Sequence, residues 1–290
     1  MPDSLSDAVI DIEHVCPRCH ARLALPDLQA ALPCPSCGRQ FRAVQGVISC
    51  LIDEPVNPWQ SFFEGRSQAD DRDTSAANDY RTALQQRYMI EAFHRACGPV
   101  ANEARLLDAG CGNGLFWAAL FGKPNVIGVD YSLGMCLLAR ARGMRVYHAD
   151  VSALPFDDGQ FDLIYSSEIL QCVTMPSPLM AEMARVCRPG GRIVVSTLNR
   201  NSILRRAMRQ VRRILPDSAA PADTAAIQRS AAELAAIGRG CSLSVRSVWW
   251  VHFPLPWLRR TASEHYPLEP MASNMVIEFV KATPPSPNAP

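Results

Sequence analysis

Lysine is nearly missing from this chain: of its 290 residues only Lys123 and Lys281 are lysine, and arginine carries the rest of the positive charge. We read this as compositional bias. The formal net charge is +1, so the molecule has no overall field that would gather nucleic acid, and a polyanionic partner would need a local patch. No apolar run approaches the roughly 20 residues that span a bilayer, and the acidic start Met1-Pro2-Asp3-Ser4 lacks the layout of a signal peptide. Together these absences lead us to expect a soluble protein in a reducing cytoplasm. What is present suits a packed fold: 48% hydrophobic and 20% charged residues, with length for one large domain and a small one.

Eleven cysteines would suggest disulfides in a small secreted domain, but here four fall in two pairs and the others are scattered singly through apolar stretches. The pairs are Cys16-Pro17-Arg18-Cys19 and Cys34-Pro35-Ser36-Cys37-Gly38. Thiolates three apart on a tight turn converge on one ion, and two such turns supply four ligands, as in a zinc ribbon. Cys16, Cys19, Cys34 and Cys37 are thus the expected ligands of a structural Zn2+, with no coordination position left for catalysis. His20 and Cys50 are read as bystanders. The metal would fold a segment too small to bury a core of its own. Residues 40–51 read as hairpin strands closing the ribbon, which we place at 1–52. A linker over 53–78 follows, marked by Pro55, Pro58 and the run Ala69-Asp70-Asp71-Arg72-Asp73. Trp59, Phe62 and Phe63 are too apolar for a free tether, so part of it should dock.

From Asp79 to about residue 283 helical and extended patterns alternate. Short apolar strands at Arg105–Leu107, Val126–Val129, Arg145–Tyr147, Phe161–Tyr165 and Arg192–Thr197, separated by helical segments, predict an α/β fold with helices on both faces of a mainly parallel sheet. Ligands of such sheets bind beyond the carboxyl ends of the strands, at the switch point beside the first strand. The turn Asp108-Ala109-Gly110-Cys111-Gly112-Asn113-Gly114 falls there, and its alternate glycines let backbone approach a ligand. Asp130 ends the second strand about 20 positions later, where an acidic residue reads ribose hydroxyls. Asp150 ends the third strand and could accept from an adenine amino group. Each carboxylate could instead cap a helix.

The ordered set Leu106-Leu107-Asp108-Ala109-Gly110-Cys111-Gly112-Asn113-Gly114, Ile127-Gly128-Val129-Asp130-Tyr131-Ser132, His148-Ala149-Asp150-Val151, Leu154-Pro155-Phe156, Phe161-Asp162 and Arg188-Pro189-Gly190-Gly191 resembles class I S-adenosylmethionine-dependent methyltransferases of the ubiquinone-biosynthesis type. The resemblance implies a Rossmann-like seven-stranded sheet over 79–283 and S-adenosyl-L-methionine as co-substrate; the proline-rich composition leads us to expect a disordered tail at 284–290. It implies that Asp108, Gly110, Gly112 and Gly114 hold the methionine part, Asp130 the ribose, and Asp150 with Val151 the adenine, with Cys111, Tyr131 and Ser167 completing the cofactor-binding set. Nicotinamide enzymes share the first two motifs but not the later ones.

Ser166-Ser167-Glu168-Ile169-Leu170-Gln171-Cys172-Val173 resembles the Glu-Val-Leu-Glu-His-Val segment of the same O-methyltransferases, and Glu168 matches its first Glu. Gln171 and Cys172 replace the second Glu and the His, so no catalytic metal is expected. Glu168 is a candidate acid-base or substrate-orienting residue, or a plain helix-start carboxylate. His252 is a second candidate base. Trp249, Trp250, His252, Phe253, Pro254, Leu255, Pro256 and Trp257 form an aromatic cluster between the expected last two strands, the second at Met275–Lys281, and it suits a hydrophobic acceptor pocket or core packing under a loop. Residues 202–215 read as a helix with Ile203, Leu204, Ala207, Met208, Val211, Ile214 and Leu215 on one face and Arg205, Arg206, Arg209, Arg212 and Arg213 opposite. Such a helix can cap a site, lie on an anionic membrane, or touch RNA. The leading expectation is O-methylation of a small or lipophilic biosynthetic intermediate. The alternatives are an rRNA guanine-type methyltransferase using the ribbon for RNA contact, and a non-catalytic interaction protein.

Overall fold

The computed structural model describes residues 12–23, 32–51, 58–68, 83–122, 125–214, 226–251 and 269–283. Along them run β1 (His14–Val15), β2 (Arg22–Leu23), β3 (Leu32–Pro33), β4 (Gln40–Val44), β5 (Val47–Ser49), α1 (Pro58–Ser67), α2 (Ala83–Cys97), β6 (Leu106–Ala109), α3 (Leu115–Leu120), β7 (Val126–Asp130), α4 (Leu133–Ala141), β8 (Arg145–His148) and β9 (Phe161–Ser166). A 3-10 turn (Ile169–Gln171), α5 (Pro176–Val186), β10 (Cys187–Leu198), α6 (Ile203–Ile214), α7 (Ala231–Gly240), β11 (Leu243–Val251), a second 3-10 turn (Glu269–Met271) and β12 (Asn274–Lys281) follow.

Ten strands make one sheet in the order β11-β12-β10-β9-β6-β7-β8-β5-β4-β3. Pairings from β10 through β5 are parallel, and β11 with β12 at one edge and β4 with β3 at the other are antiparallel. The seven strands β6 to β12 form the expected Rossmann-like unit. After β6 the chain winds outward through β7 and β8, then returns to lay β9 and β10 on the other side, so the strand order reverses at the β6–β9 junction. Doubly wound sheets leave a crevice beyond the carboxyl ends of the strands at that point.

Side chains alternate across the strands and fill a core on each face. Leu107, Ile127, Val129, Ile164, Ile193 and Val195 pack with Met180 and Met183 of α5 and Leu234 of α7. Their neighbours Leu106, Val126, Leu163, Tyr165 and Val194 pack with Met89 and Phe93 of α2, Trp117 of α3 and Ala139 of α4. Burial on both faces explains why these strands read as nearly continuous apolar runs.

The amino-terminal segment has no core of its own. Its hairpin β4–β5 joins the sheet through a parallel β5–β8 pairing, Ile48 against Tyr147 and Ser49 against His148. Ile12, Cys16, Leu23, Cys34, Phe41 and Cys50 belong to the same buried cluster as Tyr147, Phe156 and Ile164 of the larger unit. Phe41 is fully buried in it. Phe41→Ala should therefore cost about 3–5 kcal/mol of the whole chain's stability. Calorimetric unfolding checks this: one transition shifted downward is expected, and a separate early transition of the ribbon alone would contradict the shared core.

Candidate functional site

The turn after β6 sits at the switch point, and its glycines do different work. Gly110, Gly112 and Gly114 have φ of 84°, 53° and 79°. A Cβ on Gly110 would stand 3.0 Å from Ile169 Cδ1, and one on Gly114 3.1 Å from Ala139 Cα, so these two admit close packing by the 3-10 turn and by α4. At Gly112 a Cβ would meet no protein atom within 4 Å among the described residues, so this is where the turn opens outward.

Asp130, at the end of β7, fastens that opening. One carboxylate oxygen accepts from Gly112 N–H at 2.8 Å and the other from Ser132 N–H at 2.9 Å. Burial raises its pKa, partly opposed by these amides. Ser132 caps α4, accepting from Met135 N–H at 3.2 Å, and donates to Glu64 of α1. Glu64 also accepts from Gly134 N–H at 3.2 and 3.3 Å, so α1 is latched over the positive end of α4 beside Asp130. A Cβ on Gly134 would collide with Ser67 Oγ, which shows how closely α1 approaches.

Asp108 is 1% exposed at the end of β6, with the buried Tyr165 hydroxyl beside it, and among the described residues no backbone amide reaches its Oδ2. Burial pushes the Asp108 pKa up to about 8. Asp150, beyond β8, accepts from Ser152 N–H at 2.8 Å and from Ser152 Oγ at 2.7 Å, closing a local turn. Val151 next to it is buried, and Tyr131, Ser167 and Cys111 all line the same carboxyl-end region of β6, β7 and β9.

Glu168 follows β9 with φ of 66°, a left-handed conformation uncommon for a residue with a side chain. It makes no cap bond to the 3-10 turn it begins. Instead Asn274 Nδ2 donates to its Oε1 at 3.0 Å and its N–H donates to Ser196 Oγ at 3.0 Å. Arg205 donates to Asn274 Oδ1 at 3.0 Å and to Ser273 O at 2.8 Å, so a guanidinium, an amide and a carboxylate stand in series. Helix α6 thus forms as the periodicity predicts, but Arg205 turns inward and leaves the basic face. The other correction concerns the aromatic cluster. Trp249 and Trp250 are not in a connection between strands but inside β11, with Trp250 buried. His252 and Phe253 to Trp257 lie outside the described residues.

The four thiols converge. All four Sγ atoms of Cys16, Cys19, Cys34 and Cys37 lie within 4.8 Å of one another, with Cys16–Cys37 at 3.7 Å and Cys19–Cys34 at 3.5 Å. A tetrahedral zinc with bonds near 2.3 Å requires edges of about 3.8 Å, so the donor set fits that ion. The two knuckles repeat one geometry. Cys16 N–H donates to Ala21 O and His20 N–H to Cys16 O; Cys34 N–H donates to Arg39 O and Gly38 N–H to Cys34 O. His20, with φ of 56°, occupies the place of Gly38, with φ of 70°. His20 is a turn residue, and neither it nor Cys50 belongs to the thiol group.

The motifs did not reveal Glu64, Asn274 or Ser49, nor the contacts that Ser196, Arg205 and His148 make. Each acts through a contact between segments distant in sequence, with no periodic signal to mark it.

Residues 107–195 match the model of a methyltransferase domain family. A demethylmenaquinone methyltransferase of Clavibacter sepedonicus is 41% identical over 110 residues, 36% of this chain and 44% of that protein. A malonyl-[acyl-carrier protein] O-methyltransferase of Erwinia billingiae is 36% identical over 139 residues, 44% of this chain and 55% of that protein. A solved SAM-dependent methyltransferase of Thermotoga maritima superposes with a TM-score of 0.56 at 25% identity, covering 70% of this chain and 95% of that one. The chain spans less than two thirds of the length of the curated relatives it matches. Residues 107–195 are thus similar to a methyltransferase domain, set in a sheet similar to that of a solved SAM-dependent methyltransferase.

The buried Asp108 gives this domain a pH signature. Its folded pKa lies above the unfolded value of 3.8, so folding is favoured by protonation and stability falls as pH rises from about 4 toward about 8. Asp108→Asn removes that loss. Thermal melts of the ligand-free protein should show the variant stabilised at pH 8–9 by about 1–3 kcal/mol, with a smaller difference at pH 5. An equal difference at both pH values would refute the assignment.

Proposed function

We propose that this chain transfers a methyl group from S-adenosyl-L-methionine to an oxygen of a small or lipophilic biosynthetic intermediate. The observation that carries the reading is the Asp130 carboxylate closing the open Gly112 turn at the switch point of a sheet matched to methyltransferases. In this reading Asp130 and Tyr131 take the ribose, Asp150 and Val151 the adenine, and Gly110, Cys111, Gly112, Gly114 and Ser167 border the methionine part. Asp108, protonated at neutral pH while the site is empty, ionises when a cationic amino group comes against it. Cys16, Cys19, Cys34 and Cys37 hold a structural zinc.

Methyl transfer is an in-line displacement: an acceptor oxygen lone pair attacks the methyl carbon as the carbon–sulfur bond breaks, leaving S-adenosylhomocysteine. The enzyme's task is alignment and, for a hydroxyl, removal of one proton. Glu168 is the residue proposed to orient the hydroxyl and take that proton. Its neighbour Ile169 packs on Gly110, and Asn274 with Arg205 fixes its direction.

The activities for which the two curated relatives are named support a small-molecule acceptor. The ribbon's charges support it too. Arg22 is bridged to Glu13 at 3.2 Å and Asp157 at 3.7 Å, and Arg39 donates to Leu51 O, so two of its four arginines are engaged within the protein.

Labelled methyl from S-adenosylmethionine should pass to an organic-solvent cell extract and not to total RNA. Glu168→Gln should lower that initial rate by about 100-fold or more while S-adenosylhomocysteine affinity stays within about twofold. Label in RNA alone would replace this acceptor class with RNA, and an unchanged rate would remove Glu168 from the chemistry.

A further inference from the structure

Asp150 lies between two segments that the metal-ribbon segment holds in place. Before it, β5 pairs with β8, setting Ser49 against His148, and Cys50 N–H donates to His148 O at 2.8 Å. After it, Val15 N–H donates to Pro155 O at 3.2 Å, Asp157 N–H donates to Glu13 O at 3.0 Å, and His14 forms a β-bridge with Phe156. Val15 directly precedes the ligand Cys16. The His14 ring also meets the Tyr147 hydroxyl at 2.8 Å. The four-cysteine cluster thus shares strands and core with the third-strand wall of the crevice.

One side-chain path leads further, to the second-strand wall. Ser49 Oγ meets His148 Nδ1 at 2.9 Å, and His148 Nε2 meets Tyr131 O at 3.1 Å. A carbonyl only accepts, so Nε2 carries the ring proton. Nδ1 then offers a lone pair and Ser49 donates to it. Burial lowers the His148 pKa, consistent with a neutral ring. Tyr131 is the residue between Asp130 and Ser132, whose own bonds set the Gly112 opening and the α4 cap. One imidazole therefore ties β5 to the loop on which Asp130 stands.

We propose that Ser49 and His148 are positioning residues for the S-adenosylmethionine site, through which metal occupancy of the ribbon and affinity for the adenosyl ligand are coupled. The proposal rests on the methyltransferase reading and goes beyond it, because a ribbon that only folded itself or covered the sheet edge would leave ligand affinity unchanged. Coupling is reciprocal: whatever factor the metal adds to ligand affinity, the ligand adds to metal retention.

The test uses the full chain loaded with zinc and S-adenosylhomocysteine as probe. Calorimetry should show Ser49→Ala weakening Kd by about threefold and His148→Phe by about tenfold, as expected for one and two lost hydrogen bonds. His148→Gln, which keeps a donor toward Tyr131, should restore part of the loss. Zinc content and the ligand-free melting temperature should stay at wild-type values. In wild type, saturating S-adenosylhomocysteine should slow zinc release to a chromogenic chelator several-fold, and in His148→Phe it should not. If a variant misfolds, the wild-type release experiment decides alone. Unchanged Kd in Ser49→Ala together with ligand-independent zinc release overturns the coupling and leaves the methyltransferase reading standing. Failure of zinc-loaded wild type to bind S-adenosylhomocysteine would remove both.

Discussion

Two backbone N–H groups from different crossovers, Gly112 and Ser132, meet on the single carboxylate of Asp130. Much of the crevice follows from that meeting. It ties the turn leaving β6 to the start of α4, keeps Gly112 open, and sets the direction of a helix whose N-terminus is further satisfied by Glu64. A buried carboxylate is tolerable because amides compensate its lost hydration, and the same amides orient it. Asp108, near the end of the neighbouring strand β6, has no such amide at Oδ2, and burial pushes its pKa up to about 8. Adjacent strand ends thus hold two buried carboxyl groups whose pKa values burial raises, and backbone amides oppose that rise at Asp130.

The second organising constraint is the sheet edge. An exposed parallel strand at β8 would present unpaired backbone groups. Here the edge is continued by β5, β4 and β3, and the four-cysteine knuckles pack into the core beneath it. The segment is small and its strands are short, so its order depends on the larger unit and on whatever joins the four thiols. The larger unit in turn receives backbone bonds on both sides of Asp150 from that segment. Each part supplies what the other lacks.

Most of the parallel sheet was legible in the sequence, because strands buried on both faces need apolar runs and the turns between them need Gly and Asp at fixed places. The cysteine pairs were legible for a similar reason: ligand convergence is a local property of each knuckle. The long-range features were not. Nothing in the three-residue β5 marks a parallel partner some 99 positions away, the separation of Ser49 and His148. Asn274 meets Glu168 across 106 positions, and Glu64 meets Ser132 across 68. Amphipathic periodicity placed α6 but assigned Arg205 to solvent, since a helical wheel cannot register a strand-end carbonyl and amide waiting on the apolar side. Trp249 and Trp250 misled for the opposite reason, two adjacent indoles being as compatible with a strand between layers as with a loop.

The account depends most on Asp130 being the anchor of an adenosyl-ligand site. Calorimetric titration of the zinc-loaded chain with S-adenosylhomocysteine, in parallel with Asp130→Ala, addresses that directly. One ligand per chain is expected for wild type, with affinity reduced at least about tenfold in the variant, the loss appropriate to a charge-assisted pair of hydrogen bonds. Wild type that gives no binding heat, or a variant that binds as tightly as wild type, would contradict it.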